Sequence, residues 1–110
     1  MRREFWHTAL FDNQWNALGC TDDDLASLQN YLCSNPQVGA VIRGTGGVRK
    51  VRIALEGRGK RGGARVLYAD VVIFESIALL AVYAKNEKEN ISEEERQTLK
   101  RIMERIKGGK

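Results

Sequence analysis

The chain has 110 residues, of which 43% are hydrophobic and 29% are charged, and its formal net charge is +4. These values are ordinary for one globular domain, so we expect a single domain covering residues 1–110. No apolar run approaches the ~20 residues that span a bilayer, and the first residues lack the hydrophobic stretch of a signal peptide. We therefore expect a cytoplasmic protein that makes no membrane contact.

The sequence offers little for metal or disulfide chemistry. Cys20 and Cys33 could form one disulfide, but a cytosolic chain keeps its thiols reduced, so we expect two partly buried thiols. His7 is the single histidine and the Cys and His residues are not clustered, so the sequence lacks the ligands of a zinc or iron site. We predict no metal and no cofactor.

The N-terminal third predicts a short strand followed by two helices. A weak strand pattern covers residues 3–8. Apolar residues spaced i, i+4, i+7 predict a first helix that ends near Gly19; they are Phe11, Trp15 and Leu18. Thr21 is the predicted N-cap of the second helix, since three aspartates follow it in the first turn. The Asn35-Pro36 pair ends this helix.

Three strands and a final helix are predicted beyond residue 47. The strand candidates are rich in β-branched and aromatic residues: Val48–Leu55, Ala64–Phe74 and Ser76–Ala84. Short connections favour a three-stranded antiparallel meander. Ser92 and Glu95 have the spacing of a capping box, and the helix that follows has one apolar face, made by Leu99, Ile102, Met103 and Ile106.

This order of elements predicts an α+β fold. We expect a small antiparallel sheet, composed of the N-terminal strand and the meander, with two N-terminal helices and one C-terminal helix. We also expect the helices to lie on one face of the sheet, so that its other face is free.

Positive charge is concentrated in the middle of the chain. Residues 1–35 hold two basic and five acidic side chains, whereas residues 43–65 hold eight basic side chains and one acid, Glu56. Residues 85–110 are close to balance, with eight basic and six acidic side chains. A concentrated basic segment in a nearly neutral chain is typical of a protein with a polyanionic partner.

Strand alternation predicts where these cations lie. On the first strand of the meander, Lys50 and Arg52 point to the side opposite Val51. Together with Arg65 and Lys85, at the ends of the next two strands, they form a phosphate-sized basic basin if all four share one sheet surface. In the alternative interpretation these are surface charges paired with acids; those near enough are Glu56, Asp70 and Glu87.

The two glycine-rich loops have different interpretations. Residues 44–50 lack the spacing of a P-loop and lead into a strand, so no helix N-terminus meets a phosphate there. Residues 57–63 are interpreted as a hairpin tip that closes over an RNA backbone through Arg58, Lys60 and Arg61. An ordinary flexible hairpin, made soluble by its charge, is the alternative.

Four motifs together resemble the HigB branch of the RelE toxins. In order they are Gly44-Thr-Gly-Gly-Val-Arg-Lys-Val-Arg52, Gly59-Lys-Arg-Gly-Gly-Ala-Arg65, Tyr68, and Tyr83-Ala-Lys-Asn-Glu87 before a capped helix. The resemblance implies a ribosome-dependent endoribonuclease that cleaves messenger RNA without a metal. It also implies a neighbouring antitoxin, expected to bind DNA through a helix-turn-helix, and a toxin that is a monomer or part of a toxin–antitoxin hetero-oligomer.

The resemblance assigns catalytic roles to Lys50, Arg52, Arg65 and Lys85. RNA or ribosome contacts are predicted for a second set: Arg49, Arg58, Lys60, Arg61 and Tyr68. Two departures leave the general base unassigned. RelE toxins have an arginine where this chain has Asn86, and a tyrosine shortly beyond, where this chain has Ile91 and Ser92.

Cleavage through the RNA's own 2′-hydroxyl needs in-line geometry, proton removal and charge stabilisation. Arg65 suits charge stabilisation because its planar guanidinium can donate hydrogen bonds to two phosphate oxygens at once. Lys50 could take the hydroxyl proton, while Lys85 could protonate the leaving 5′-oxygen or hold the phosphate. Tyr68 and Tyr83 could stack on a base, although tyrosines in strands are commonly core residues.

Three other functions are considered. A ParE-like toxin directed at DNA gyrase has the same fold but lacks the basic set that this chain has. A non-catalytic module that binds RNA or the ribosome is compatible with the two departures. A protein-interaction adaptor leaves the clustered charge unexplained.

Overall fold

The computed structural model describes residues 3–55, 63–85 and 90–108, and these ranges form an α+β fold with three helices and a five-stranded mixed sheet. The predicted class and the predicted helices are confirmed. The strands are β1 (Glu4–His7), β2 (Ala40–Val41), β3 (Arg49–Ile53), β4 (Ala64–Val71) and β5 (Ser76–Ala84). The helices are α1 (Ala9–Ala17), α2 (Asp22–Ser34) and α3 (Glu93–Lys107).

The sheet has the strand order β1-β5-β4-β3-β2. Strands β3, β4 and β5 form the predicted antiparallel meander. Strand β1 pairs with β5 in parallel, with Glu4 opposite Ser76, so the sheet is mixed where a wholly antiparallel one was predicted. The two-residue strand β2 was not predicted, because two residues are too few to show a period. The pairing of β1 joins segments about 70 residues apart, which local patterns do not report.

Helix starts follow the predicted capping chemistry. In α2 the hydroxyl of Thr21 accepts a hydrogen bond from the N–H of Asp24 at 3.1 Å, and the Asp24 carboxylate accepts one from the N–H of Thr21 at 2.7 Å. Ser92 and Glu95 form the same reciprocal pair at the start of α3, at 3.1 and 2.8 Å. Each box satisfies two backbone donors that have no partner inside the helix.

Helices cover both faces of the sheet, which corrects the expectation of a free face. Helices α1 and α2 bury Phe11 and Leu32 against one face, where Val66 also lies. Helix α3 buries Leu99 and Met103 against the other face. All nine residues of β5 are buried, as expected for a central strand that is covered twice. The uninterrupted apolar run of β5 was therefore a signal that both faces are covered.

Helix α3 is also attached to the turn before β3. The guanidinium of Arg96 donates to the carbonyl of Arg43 at 2.6 Å, and the ammonium of Lys107 donates to the carbonyl of Gly46 at 2.7 Å. Within this turn the buried hydroxyl of Thr45 donates to the carbonyl of Ile42 at 2.7 Å. These contacts fix α3 over the same sheet face as Lys50 and Arg52.

The predicted partial burial of the two cysteines is confirmed. Cys20 and Cys33 are both half-buried and are not joined by a disulfide. None of the helices in the described ranges is long and apolar enough to cross a membrane.

Candidate nucleic-acid interface

A row of polar side chains crosses three adjacent strands on the α3 side of the sheet. Arg52 of β3 lies directly opposite Arg65 of β4, and Arg65 lies directly opposite Tyr83 of β5. Directly opposed residues have Cβ atoms roughly 4.5–5.5 Å apart. Lys50 precedes Arg52 by two residues, so it lies on the same face, opposite Leu67. The sheet therefore brings three of the four predicted catalytic cations together.

Lys85 extends the row by one residue beyond β5. Its N–H donates to the carbonyl of Gly63 at 3.1 Å, which continues the ladder between β4 and β5. Alternation from Tyr83 puts Lys85 on the same face as Arg65. Arg52 is exposed, while Lys50, Arg65 and Lys85 are half-buried, so all four have surface to offer a ligand.

A β-bulge determines which face the end of β5 presents. Leu67 pairs with Ala81 and the next residue, Tyr68, pairs with Leu79, so Leu80 is an extra residue in β5. A bulge of this kind shifts the alternation of every later residue on its strand. Without it, Tyr83 would share a face with Leu79 and the α1–α2 core. With it, Tyr83 and Lys85 lie beside Arg65.

Helix α3 adds a carboxylate that the sequence did not single out. Tyr83 and Glu95 both line a cleft of about 270 Å³ between α1, β5 and α3. Burial raises the pKa of Tyr83 above its ordinary value of 10.0; the Arg65 guanidinium opposes this shift and the Glu95 carboxylate adds to it. The Tyr83 ring is 5% exposed. The spacing of Glu95 from Ser92 predicts only a capping role, so the sequence alone does not assign Glu95 to this site.

Tyr68 has no surface with which to contact RNA, contrary to the prediction. It is fully buried on the α1–α2 side of the sheet. Its hydroxyl donates to the carbonyl of Pro36 at 3.0 Å and accepts from the N–H of Gly39 at 2.9 Å. Burial raises the pKa of Tyr68, although the Gly39 hydrogen bond and the Arg49 charge act against this. Tyr68 is thus a core residue that holds the loop after α2.

Arg49 is also placed apart from the other predicted site residues. Its position opposite Tyr68 puts it on the sheet face that α1 and α2 cover. Its guanidinium donates to the carbonyls of Gln37 and Gly39 at 3.1 and 2.7 Å. We therefore leave Arg49 out of the candidate site, because its hydrogen bonds organise the loop before β2.

The remaining predicted site residues lie outside the described ranges; they are Arg58, Lys60 and Arg61. Asn86 and two of the acids considered as partners, Glu56 and Glu87, also lie outside them. Of the acids considered as partners for the cations, Asp70 instead forms a buried ion pair with Arg3 at 3.0 Å. Among the described residues, no three His, Cys, Asp or Glu side chains are grouped so as to hold a metal ion.

The arrangement of strands and helices is shared with a toxin of known structure. The isolated E. coli RelE toxin matches with a TM-score of 0.57 and 19% sequence identity, over 92% of this chain and 99% of that chain. The chain therefore has a RelE-like α+β fold.

A family model agrees with this fold. The model described as the RelE toxin of the RelE/RelB toxin–antitoxin system matches residues 34–109, which is more than half of the chain and includes every predicted site residue. The chain belongs to the RelE toxin family.

Proposed function

We propose that this protein is a ribosome-dependent messenger RNA endoribonuclease, the toxin of a toxin–antitoxin pair, of the HigB branch. The observation that carries the proposal is the row Arg52–Arg65–Tyr83, with Lys50 and Lys85 on the same sheet face, in a member of the RelE family. The glycine-rich and Tyr-Ala-Lys-Asn-Glu motifs support the HigB assignment. Residues 1–110 act as one toxin domain in this proposal, and its substrate places it in the cytoplasm.

The proposed reaction is cleavage through the neighbouring 2′-hydroxyl. The 2′-oxygen attacks phosphorus, the bond from phosphorus to the 5′-oxygen breaks, and negative charge grows on the non-bridging oxygens. Arg65 stabilises that charge from the middle of the row, with Arg52 beside it. Removing one such donor typically slows a reaction by about 10²–10³-fold. Four cations on one sheet face supply the stabilisation that a metal would otherwise provide, so we propose a metal-independent reaction.

The other components of the proposal are partners. The loop cations Arg58, Lys60 and Arg61 are proposed to hold RNA or the ribosome. The ribosome positions the RNA for in-line attack, which converts a bimolecular encounter into a prearranged one. An antitoxin with a DNA-binding helix-turn-helix neutralises the toxin in a hetero-oligomer, and the free toxin is a monomer.

The test is induction in bacteria followed by mapping of messenger RNA 5′ ends. Three chains are compared: the wild type, the double variant Arg65→Ala/Lys85→Ala, and Arg101→Ala. Arg101 is an exposed cation of α3 that lies outside the proposed site, so it controls for a simple loss of positive charge. We expect growth arrest and new 5′ ends within codons for the wild type and Arg101→Ala, and neither for the double variant.

Three results would contradict the proposal. Normal growth and no new 5′ ends with the wild type would exclude the toxin activity. Arrest with intact messenger RNA and altered DNA supercoiling would favour the gyrase-directed alternative. Binding to ribosomes without any cleavage would favour a non-catalytic module.

A further inference from the structure

The proposed reaction needs a group that removes the 2′-hydroxyl proton, and the row of cations lacks one. Protonated lysine and arginine are donors without an acceptor site. Lys50 lies one row away from Arg65, opposite the aliphatic Leu67. Burial raises the pKa of Tyr83, so its phenol keeps its own proton at neutral pH. The phenol can therefore donate a hydrogen bond there but cannot accept the hydroxyl proton.

Helix α3 brings two acids to this end of the row, and of these Glu94 is exposed while Glu95 is half-buried. Glu95 shares a cleft with Tyr83, the residue directly opposite Arg65. It is half-buried, in keeping with a group at the edge of a ligand site. Ionised glutamate accepts hydrogen bonds and protons without first losing a proton of its own. Tyr83 lies between Glu95 and Arg65, since it lines the cleft with Glu95 and pairs across the strands with Arg65.

The capping box also holds the Glu95 side chain in place. Its Oε1 accepts from the N–H of Ser92 at 2.8 Å, while its own N–H donates to the Ser92 hydroxyl at 3.1 Å. A group used in proton transfer benefits from such a fixed position, because less reorganisation is needed during the reaction. The helix cap and the active site would thus share one residue.

We propose that Glu95 is the general base of the cleavage reaction, an assignment that rests on the proposed function. The Glu95 carboxylate takes the proton of the 2′-hydroxyl as the 2′-oxygen forms its bond to phosphorus. The bond between phosphorus and the 5′-oxygen breaks, and the ammonium of Lys85 supplies a proton to the departing oxygen. The products are a 2′,3′-cyclic phosphate and a free 5′-hydroxyl, and the two proton transfers balance.

Several charged groups surround Glu95 and affect its response to pH. Tyr83 of β5 lines the same cleft, Arg65 lies opposite Tyr83 on β4, and Lys85 lies two residues beyond Tyr83. Arg52 lies one strand further away, and Glu94 and Arg96 flank Glu95 on α3. Four of these six groups are cationic, namely Arg65, Lys85, Arg52 and Arg96.

The decisive variant is Glu95→Gln, compared with Glu94→Gln. Glutamine at the third helical position also completes a capping box, so this change keeps the helix start and removes the base. Glu94 lies in the same first turn, and its substitution removes the same charge from the helix N-terminus. Single-turnover cleavage of messenger RNA on programmed ribosomes is measured as a function of pH, together with the Kd for RNA and the melting temperature.

We expect Glu95→Gln to slow cleavage by about 10²–10⁴-fold, the usual contribution of general acid–base catalysis, with little change in Kd. The wild-type rate should fall at acidic pH as the carboxylate is protonated, and this acidic limb should be lost in Glu95→Gln. Glu94→Gln should retain both the rate and the limb.

Three outcomes would overturn the assignment. They are a Glu95→Gln rate within a few-fold of the wild type, an equal loss in Glu94→Gln, and a wild-type profile without an acidic limb. The last measurement needs no variant, so it decides the question even if Glu95→Gln folds poorly. A wild-type chain that cleaves no RNA at all refutes the proposed function instead, which separates the two failures.

Discussion

Two tyrosines of the central sheet face opposite sides, and their surroundings give them different roles. Tyr68 is enclosed by the α1–α2 core and bridges Pro36 and Gly39 through its hydroxyl. Tyr83 lies beside Arg65 on the α3 side and lines the cleft that contains Glu95. The residue type alone does not tell which of two buried tyrosines lies beside a candidate site.

Tyr68→Phe should destabilise the protein without changing its affinity for RNA. The change leaves the Gly39 N–H and the Pro36 carbonyl without this partner, and an unsatisfied buried polar group costs about 1–3 kcal/mol. Urea unfolding measures the loss, with Tyr31→Phe as the control, because Tyr31 is 43% exposed. A weaker RNA affinity at unchanged stability would instead restore an RNA-contacting role for Tyr68.

Tyr83→Phe should reduce the loss of stability at alkaline pH. Because burial raises the folded-state pKa of Tyr83, the folded protein holds the phenolic proton more tightly than the unfolded chain does. The resulting stability is complete below the unfolded pKa of 10.0 and is lost as pH rises from there through the folded pKa. Urea unfolding between about pH 8 and pH 11 should show a shallower decline for the variant. Identical declines in stability for the wild type and Tyr83→Phe would contradict the raised pKa of Tyr83.

At the scale of elements, the hairpin between β3 and β4 depends on one glycine. Gly63 has φ of +71°, and a Cβ placed there would collide with the carbonyl oxygen of Ile53. Its own carbonyl accepts from the N–H of Lys85. The same backbone thus sets the start of β4 and the position of a proposed catalytic lysine.

Gly63→Ala should be much more destabilising than Gly19→Ala. Gly19 has a similar φ of +76°, but a Cβ added to it would meet nothing within 4 Å, so its substitution costs only the left-handed conformation, about 1–2 kcal/mol. Gly63→Ala adds a backbone collision and should also impair cleavage through Lys85. Urea midpoints and the cleavage assay measure both effects. An equal loss of stability in the two variants would contradict this prediction, because it would show that the backbone moves to remove the collision at residue 63.

At the scale of the whole molecule, the two covered faces of the sheet differ in composition. The α1–α2 face is a continuous apolar core, while the α3 face combines a second core with the row of cations. The acidic first turn of α2 lies in the part of the chain with excess negative charge. Under the proposed function, we therefore expect the RNA to bind on the α3 side.

RNA binding should therefore depend on salt through the cations of this face. For single strands, the logarithm of affinity falls with the logarithm of salt concentration, with a slope of about −0.7 for each neutralised phosphate. Lys50→Ala should weaken binding and reduce the slope by about 0.7, whereas Arg101→Ala should leave the slope unchanged. Fluorescence anisotropy with a single-stranded RNA at several salt concentrations measures this. Equal effects of both variants would indicate non-specific attraction by net charge.

Local chemistry was readable from the sequence because it depends on near neighbours. Capping residues predicted the starts of α2 and α3, since a cap involves residues three apart. Alternation correctly separated Lys50 and Arg52 from Val51, because a strand without a bulge keeps a period of two. The antiparallel meander followed from short connections. The RelE resemblance likewise rested on motifs that are continuous in the chain.

Tertiary structure decided whatever depends on distant segments or on an irregularity. The parallel pairing of β1 with β5 and the placing of α3 over the second sheet face join parts of the chain that no local pattern connects. The extra residue Leu80 shifts the alternation of side chains along β5, and this shift puts Tyr83 beside Arg65. Only when α3 packs on that face does Glu95 share a cleft with Tyr83, because a cleft forms from side chains that folding brings together.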